Sequence, residues 1–299
     1  MFKPSICSRV LPYSPPYDWE TTLEFFRAHQ LPYIESVDDS AYERVIRVRH
    51  GLGWFRVEKK SSEHALLLSV WNGNEEDIVT ISKSVRRMFD LDANPEGLLK
   101  SMSADGCMTG LWAQHPGLRL ARLWSAYESV FTTVLGQLVS VAFGRALTQE
   151  FMRAAGSQER HPKTSMPISL FPSTKQILGA DLSNVRTSAI RRGTIRSIAR
   201  SIEEGTLDLV GALNIRSLRK ALRGISGVGA WTTEYVALRG LGDNDAFPST
   251  DYALKRELKR HPEINLRAIQ PWRGYAAITL WKRYVEAKTT AGSAAGLSL

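Results

Sequence analysis

Apolar and polar residues follow two different rhythms along this chain, and the rhythm changes near residue 91. Before that point, YERVIRVRH (42–50), WFRVEKK (54–60) and HALLLSVWN (64–72) are short runs rich in β-branched and aromatic residues, joined by GLG and SSE. Such runs with short links predict a small antiparallel sheet. ETTLEFFRAHQ (20–30), after the turn-like SPPYD, fits a short helix, and DIVTISKSVRRMFDLD (77–92) sets Ile78, Ile81, Val85 and Met88/Phe89 at helical spacing.

Beyond residue 91 the pattern is almost wholly helical. The longest periodic segment, SAYESVFTTVLGQLVSVAFGRALTQEFMRAAG (125–156), reads as two helices divided near Gly136, and SQERHPKTSMPI (157–168) reads as an exposed loop. NVRTSAIRRGTIRSIARSIEEG (184–205) and NIRSLRKALRGI (214–225) are arginine-dense helices, which present either a solvated face or a phosphate-contacting one. No internal repeat is visible. The expected fold class is α+β: an N-terminal sheet domain with helices over 1–92, a mostly helical core over 93–288, and a flexible tail over 289–299.

Composition narrows the function classes. A chain of 299 residues, 43% hydrophobic and 23% charged, is globular and long enough for two or three compact units. Lys and Arg outnumber Asp and Glu by 39 to 30, a net +9 that suits a polyanion such as DNA or RNA and equally a plain basic protein. No apolar run is long enough to span a membrane, and MFKPSICSRVLPYSPPYDW lacks the apolar region of a signal peptide. No membrane partner is expected, and a cytoplasmic setting is. Two cysteines, Cys7 and Cys107, supply neither a disulfide framework nor an iron–sulfur ligand set, and the six scattered histidines give no zinc spacing. No metal held by side chains and no cofactor is expected.

GISGVGAW (224–231) holds three glycines in eight residues. A dinucleotide fingerprint wants G-x-G-x-x-G after a strand, and a phosphate-binding loop of the Walker type ends in GK[ST]; this stretch offers G-x-x-G-x-G after the helical SLRKALR. What remains is helix, tight turn, helix. Gly227, Gly229 and the start of the helix at Ala230 can present backbone N–H groups to a phosphate diester, though alone the pattern fits an ordinary helical hairpin as well.

The wider block LRGISGVGAWTTEYVALRGLGDNDAFPSTDYALKR (222–256) resembles the helix-hairpin-helix plus Gly/Pro-Asp signature of a superfamily of DNA-repair glycosylases, nearest to its alkylation-repair branch, the 3-methyladenine DNA glycosylases of type II. PPYDW, RMFDLDANP, HPGLRL, VLGQLVSVA, EGTLDL and QPWRGYAAITLW resemble that branch in the same order, so the likeness runs from about residue 12 to 285. It implies a hairpin at about 214–239 and two helical subdomains flanking a cleft. It also implies base excision repair: binding duplex DNA as a monomer (nucleoid-associated if bacterial), flipping out an alkylated purine such as 3-methyladenine or 7-methylguanine, and hydrolysing its N-glycosidic bond.

By the same resemblance, Asp251 is the catalytic carboxylate, beside which an oxocarbenium-like sugar is stabilised and water oriented. On residues alone, an Asp after FPST is also an ordinary helix cap. Trp231, Tyr235, Tyr252 and Trp281, with Phe25 as a lesser candidate, would line a pocket that takes a cationic base by stacking and cation–π attraction, although each aromatic could equally be core. Gln137 and Leu138 match the pair that enters the duplex where the base was; otherwise Leu138 is a leucine at a helix break. Gly227, Gly229, Ala230 and Thr232 would meet the DNA backbone, and a monovalent cation would sit on backbone carbonyls near Arg223, Ile225 and Val228. Lyase members use a lysine early in the helix after the glycine turn; Gly229-Ala230-Trp231-Thr232 has none, which predicts a monofunctional enzyme rather than a bifunctional oxidised-base glycosylase/lyase. A damage-binding protein without turnover is the other alternative. Thr250 and Ala253 depart from the branch's pattern, beside and within the expected pocket.

Overall fold

The computed structural model describes residues 6–49, 51–60, 63–209 and 215–295, with side chains through 289. The start of the predicted hairpin helix at Asn214 and the last four residues of the tail lie outside the described residues.

Five strands form one antiparallel sheet: β1 (Ile6–Pro12), β2 (Glu35–Val37), β3 (Ala41–Val48), β4 (Gly51–Lys59) and β5 (Ala65–Trp71), in the order β1-β5-β4-β3-β2. The three strands legible in the sequence are the middle ones. The two missed are the edges, where β1 exposes most of its residues and β2 has three; neither carries the alternating apolar signal that a half-buried strand needs. Helix α1 (Trp19–His29) is capped by the Asp18 side chain and α2 (Glu75–Met88) by a reciprocal Asn74/Asp77 capping box. They bury Leu23, Phe26, Ile78, Val85 and Phe89 against Tyr42, Phe55, Leu66 and Leu68 of one sheet face.

The other face carries Trp54 and Trp71, stacked at 5.1 Å. Over it lie Met152 and a hairpin of β6 (Gln158–Arg160) and β7 (Pro167–Ser169), with Ile168 and Leu170 buried beside Val45 and Trp54. The stretch 157–168 is thus a small β-hairpin covering the sheet, not a free loop. Its tip is polar, as the sequence suggests, but Ile168 is packed, and an apolar residue isolated in a polar run gives no periodic signal.

The helical part comprises α3 (Pro95–Met102), α4 (Gly106–Ala113), α5 (Ala126–Leu135), α6 (Val141–Ala155), α7 (Thr174–Gly179), α8 (Ala189–Glu203), α9 (Ile215–Arg223), α10 (Ala230–Val236), α11 (Tyr252–Arg260) and α12 (Arg273–Ala295). Gly136 and Ser140 account for the expected break between α5 and α6: the first is the C-cap of α5, the second caps α6 through Phe143 N–H. Helix α12 runs through Ala295, so residues 289–295 are helical where a tail was expected to fray.

Two apolar cores lie among these helices. Val130, Phe131, Leu147, Phe151, Ile195 and Leu222 fill one, and Met102, Trp112, Leu238, Leu254, Tyr275 and Ile278 the other. The chain crosses from the first to the second along α10 and its π-helical continuation Ala237–Leu241. Buried polar bonds tie both to the sheet unit. Arg44 of β3 is paired with Glu35 and with Glu128 of α5, while Asp90 accepts from Arg122 Nη1 at 2.8 Å and from the Tyr275 hydroxyl at 2.7 Å. Among the described residues no helix is long and apolar enough to cross a membrane.

Candidate active site

The glycine turn joins α9 to α10. Gly227 has φ +86°, and a Cβ there would lie 2.1 Å from Thr194 Oγ1 of α8, which donates to Ser226 O at 2.9 Å. Only glycine suits that backbone and that contact. Gly229 opens α10 without a side-chain cap; it and Ala230 are exposed, so the first N–H groups of α10 face solvent.

Asp251 caps α11. Its Oδ1 accepts from the backbone N–H of Ala253 (3.0 Å) and Leu254 (3.1 Å), and from Trp281 Nε1 at 3.0 Å. Its Oδ2 accepts from Trp231 Nε1 at 2.9 Å. Capping and clustering are therefore not alternatives here. The same half-buried carboxylate caps the N-terminus of α11 and anchors two indoles from α10 and α12.

Around it the aromatic side chains form one wall. Trp231 stacks on Tyr235 at 5.0 Å, and Tyr235 lies 6.0 Å from Trp281. The Arg239 guanidinium sits over both Trp281 (5.3 Å) and Phe25 of α1 (4.3 Å). His29 stacks on Phe25 at 4.4 Å and reaches the Tyr235 hydroxyl with Nε2 at 3.4 Å, while its Nδ1 lies 2.8 Å from Phe25 O. Desolvation holds His29 down to about 4, aided by Arg239 and opposed by the Phe25 carbonyl. Desolvation lowers Arg239 to about 10 and raises Tyr235. The wall is thus lined by a neutral imidazole and a buried guanidinium as well as rings.

His29 and Arg239 were not picked out from the sequence. Each stands four residues after a selected aromatic, Phe25 or Tyr235, hence on the same helical face; that spacing is the only sequence signal for them. Tyr252 departs from the expectation. It is 65% exposed and packs on Tyr284 and Arg256, away from the wall, because the residue after the cap turns to the outer face of α11.

Leu138 is fully exposed with φ +56° and stands out of the α5–α6 turn. Gln137 does not project with it: Nε2 donates to Gly227 O (2.9 Å) and Thr232 Oγ1 (2.8 Å), and its carbonyl accepts from Arg191 Nη2 at 2.6 Å. Thr232 is correspondingly buried, backbone included, and does not present a surface to solvent. The arginines of α8 and α9 are also largely spoken for within the fold, Arg192 and Arg196 on carbonyls, Arg219 on Glu234 and Asp243.

A family model described as the AlkA N-terminal domain matches residues 8–125. Over 280 residues the chain is 29% identical to DNA-3-methyladenine glycosylase 2 of Escherichia coli K12, covering 91% of this chain and 96% of that protein. It is 30% identical over 279 residues to a probable bifunctional transcriptional activator/DNA repair enzyme AlkA of Mycobacterium tuberculosis H37Rv, and it spans 56% of that longer relative and 91% of itself. The N-terminal part of the chain thus matches the AlkA N-terminal domain, and most of its length is similar to AlkA-type DNA repair enzymes. Its fold agrees: a 3-methyladenine DNA-glycosylase from Archaeoglobus fulgidus superposes with a TM-score of 0.72 at 19% identity over 92% of this chain and 98% of that one. The structure of MBOgg1 in complex with a low-affinity DNA ligand gives 0.73 at 17%, covering 96% and 100%.

Two further points follow from the residues. Helix α10, AWTTEYV, offers no amine that could attack a sugar. The turn from Arg223 to Val228 is compatible with the cation implied by resemblance: Ile225 O takes the Val228 N–H at 3.0 Å and keeps a second lone pair, and backbone carbonyls suit a hard cation. Such an ion would stiffen the turn.

Proposed function

We propose that this chain is a monofunctional DNA glycosylase that binds duplex DNA through the α9–α10 hairpin, flips an alkylated purine out of the stack and hydrolyses its N-glycosidic bond. The observation that supports it most is Asp251, whose two oxygens are aimed by Trp231 and Trp281 beside an aromatic wall. An alkylated purine already carries positive charge and leaves readily. The remaining task is to offset the charge that develops on the sugar and to direct water, which one carboxylate at C1′ can do. Stacking on Trp231 and Tyr235 would hold the base, and Leu138 would fill the gap in the duplex. The protein would act as a monomer, in the compartment that holds the genome.

The test is release of 3-methyladenine and 7-methylguanine from methylated DNA. Wild type should release both, and Asp251→Asn should be slower by about 100-fold or more. Asparagine keeps the helix cap but sets an amide NH2 against Trp231 Nε1–H, so the thermal midpoint should fall modestly while the fold is kept. Tight DNA binding without release by wild type would leave a damage-binding protein instead, and full activity in Asp251→Asn would remove Asp251 from the chemistry. Borohydride should trap no adduct with damaged DNA; a trapped adduct would contradict the monofunctional reading.

A further inference from the structure

Cys107 lies in the first turn of α4, and 154 residues later His261 ends α11, with Glu263 two positions on. Folding brings these three together on the side of the second helical core. Cys107 Sγ is 3.0 Å from Glu263 Oε1 and 3.8 Å from His261 Nδ1, and the imidazole nitrogen is 3.5 Å from the same carboxylate oxygen. A tetrahedral zinc ion, with Zn–S near 2.3 Å and Zn–N and Zn–O near 2.0–2.2 Å, needs ligand atoms about 3.4–3.6 Å apart. One atom from each residue already stands near that spacing.

The backbone that carries them is fixed. Asp105 Oδ1 caps α4 through Met108 N–H at 2.8 Å, and its Oδ2 accepts from Asn265 N–H at 2.5 Å, so one carboxylate joins the start of α4 to the loop that holds His261 and Glu263. His261 N–H continues the α11 pattern to Glu257 O at 3.0 Å. Glu263 is about half exposed, which leaves an approach from solvent and room for water as a fourth ligand.

We propose that Cys107, His261 and Glu263 bind a zinc-class divalent cation that staples α4 to the end of α11, the helix whose other end is capped by Asp251. Thiolate, imidazole and carboxylate together suit zinc or cobalt rather than magnesium or calcium. Binding forms a metal–sulfur bond and releases the Cys107 thiol proton to solvent; thiolate and carboxylate together then balance the ion's two charges. The site stands apart from the aromatic wall and takes no part in base release.

The experiment is titration of chelator-stripped full-length protein with Co²⁺, followed by Zn²⁺, with thermal melting alongside. One equivalent of Co²⁺ should produce thiolate-to-cobalt charge-transfer absorption, which Zn²⁺ then removes. Cys107→Ala should abolish the band and Cys7→Ala should keep it. His261→Gln and Glu263→Gln should weaken binding by at least about tenfold, a loss caused even by changes behind the ligands. Zn²⁺ should raise the melting midpoint of wild type and not of His261→Gln. A wild-type titration without the band, or a band of equal affinity in His261→Gln, would mean the three side chains are only a hydrogen-bonded group. Since His261→Gln retains the thiol, it decides the matter even if Cys107→Ala folds poorly.

Discussion

At the scale of single residues, Asp251 serves the fold and the site with one carboxylate: Oδ1 holds the start of α11 and Trp281, Oδ2 holds Trp231. The sequence pointed to it because a short Pro-Ser-Thr-Asp stretch and a glycine turn are local patterns. His29 and Arg239 had no motif, and their membership depends on α1 crossing the end of α10. His29 also yields a pH prediction. Its folded pKa, about 4, lies below the ordinary 6.5, so between those values the unfolded chain binds a proton that the folded chain does not. Its contribution is present above pH 6.5 and is lost as pH falls toward 4, by up to about 3 kcal/mol. Urea denaturation of wild type and His29→Leu across that range should show the variant with the shallower slope; parallel curves would refute the assignment. Leu138 is the opposite case. Fully exposed, it should leave stability unchanged when cut to Ala, while base release from duplex falls and release from single strands is spared.

At the scale of elements, helices and central strands were legible and edges were not. β3, β4 and β5, the helix pair split at Gly136, and the hairpin helices follow from periodicity and caps. β1 and the β6–β7 hairpin do not, because an exposed edge strand and a polar cover have little apolar rhythm to read. Nor did the sequence mark how the sheet is locked to α5. Arg44, buried on β3, holds Glu35 and Glu128; burial raises the Glu128 carboxyl, with Arg44 opposing that rise. Arg44→Met would leave two carboxylates without their cation in a dry interface. The expected loss is about 3–5 kcal/mol, as for other broken buried pairs, read from denaturant melts. A loss below ~1 kcal/mol would show that water reaches the pair.

At the scale of the molecule, the net charge of +9 and the hairpin belong to one expectation. If the exposed start of α10 and remaining surface cations meet phosphates, log affinity for duplex DNA should fall linearly with log salt as counterions are released. A salt-insensitive affinity, measured by fluorescence anisotropy, would remove these contacts from the interface. Many arginines of α8 and α9 already bond the protein, so the slope should be shallower than a count of their positive charges suggests.

The sequence by itself determined what is local: the α+β division, the central strands, the capped helices, the glycine turn and the aspartate that follows it. Each is encoded within a few residues, by periodicity, capping or backbone freedom, and the resemblance extended those signals to a family. Only the tertiary structure decided which distant side chains meet. It drew His29 and Arg239 to the aromatic wall, turned Tyr252 away from it, folded Gln137 onto the hairpin, and set Cys107 against His261 and Glu263. Those contacts join residues as far apart as Phe25 and Arg239, and their geometry comes from how the cores pack, which no short stretch of sequence records.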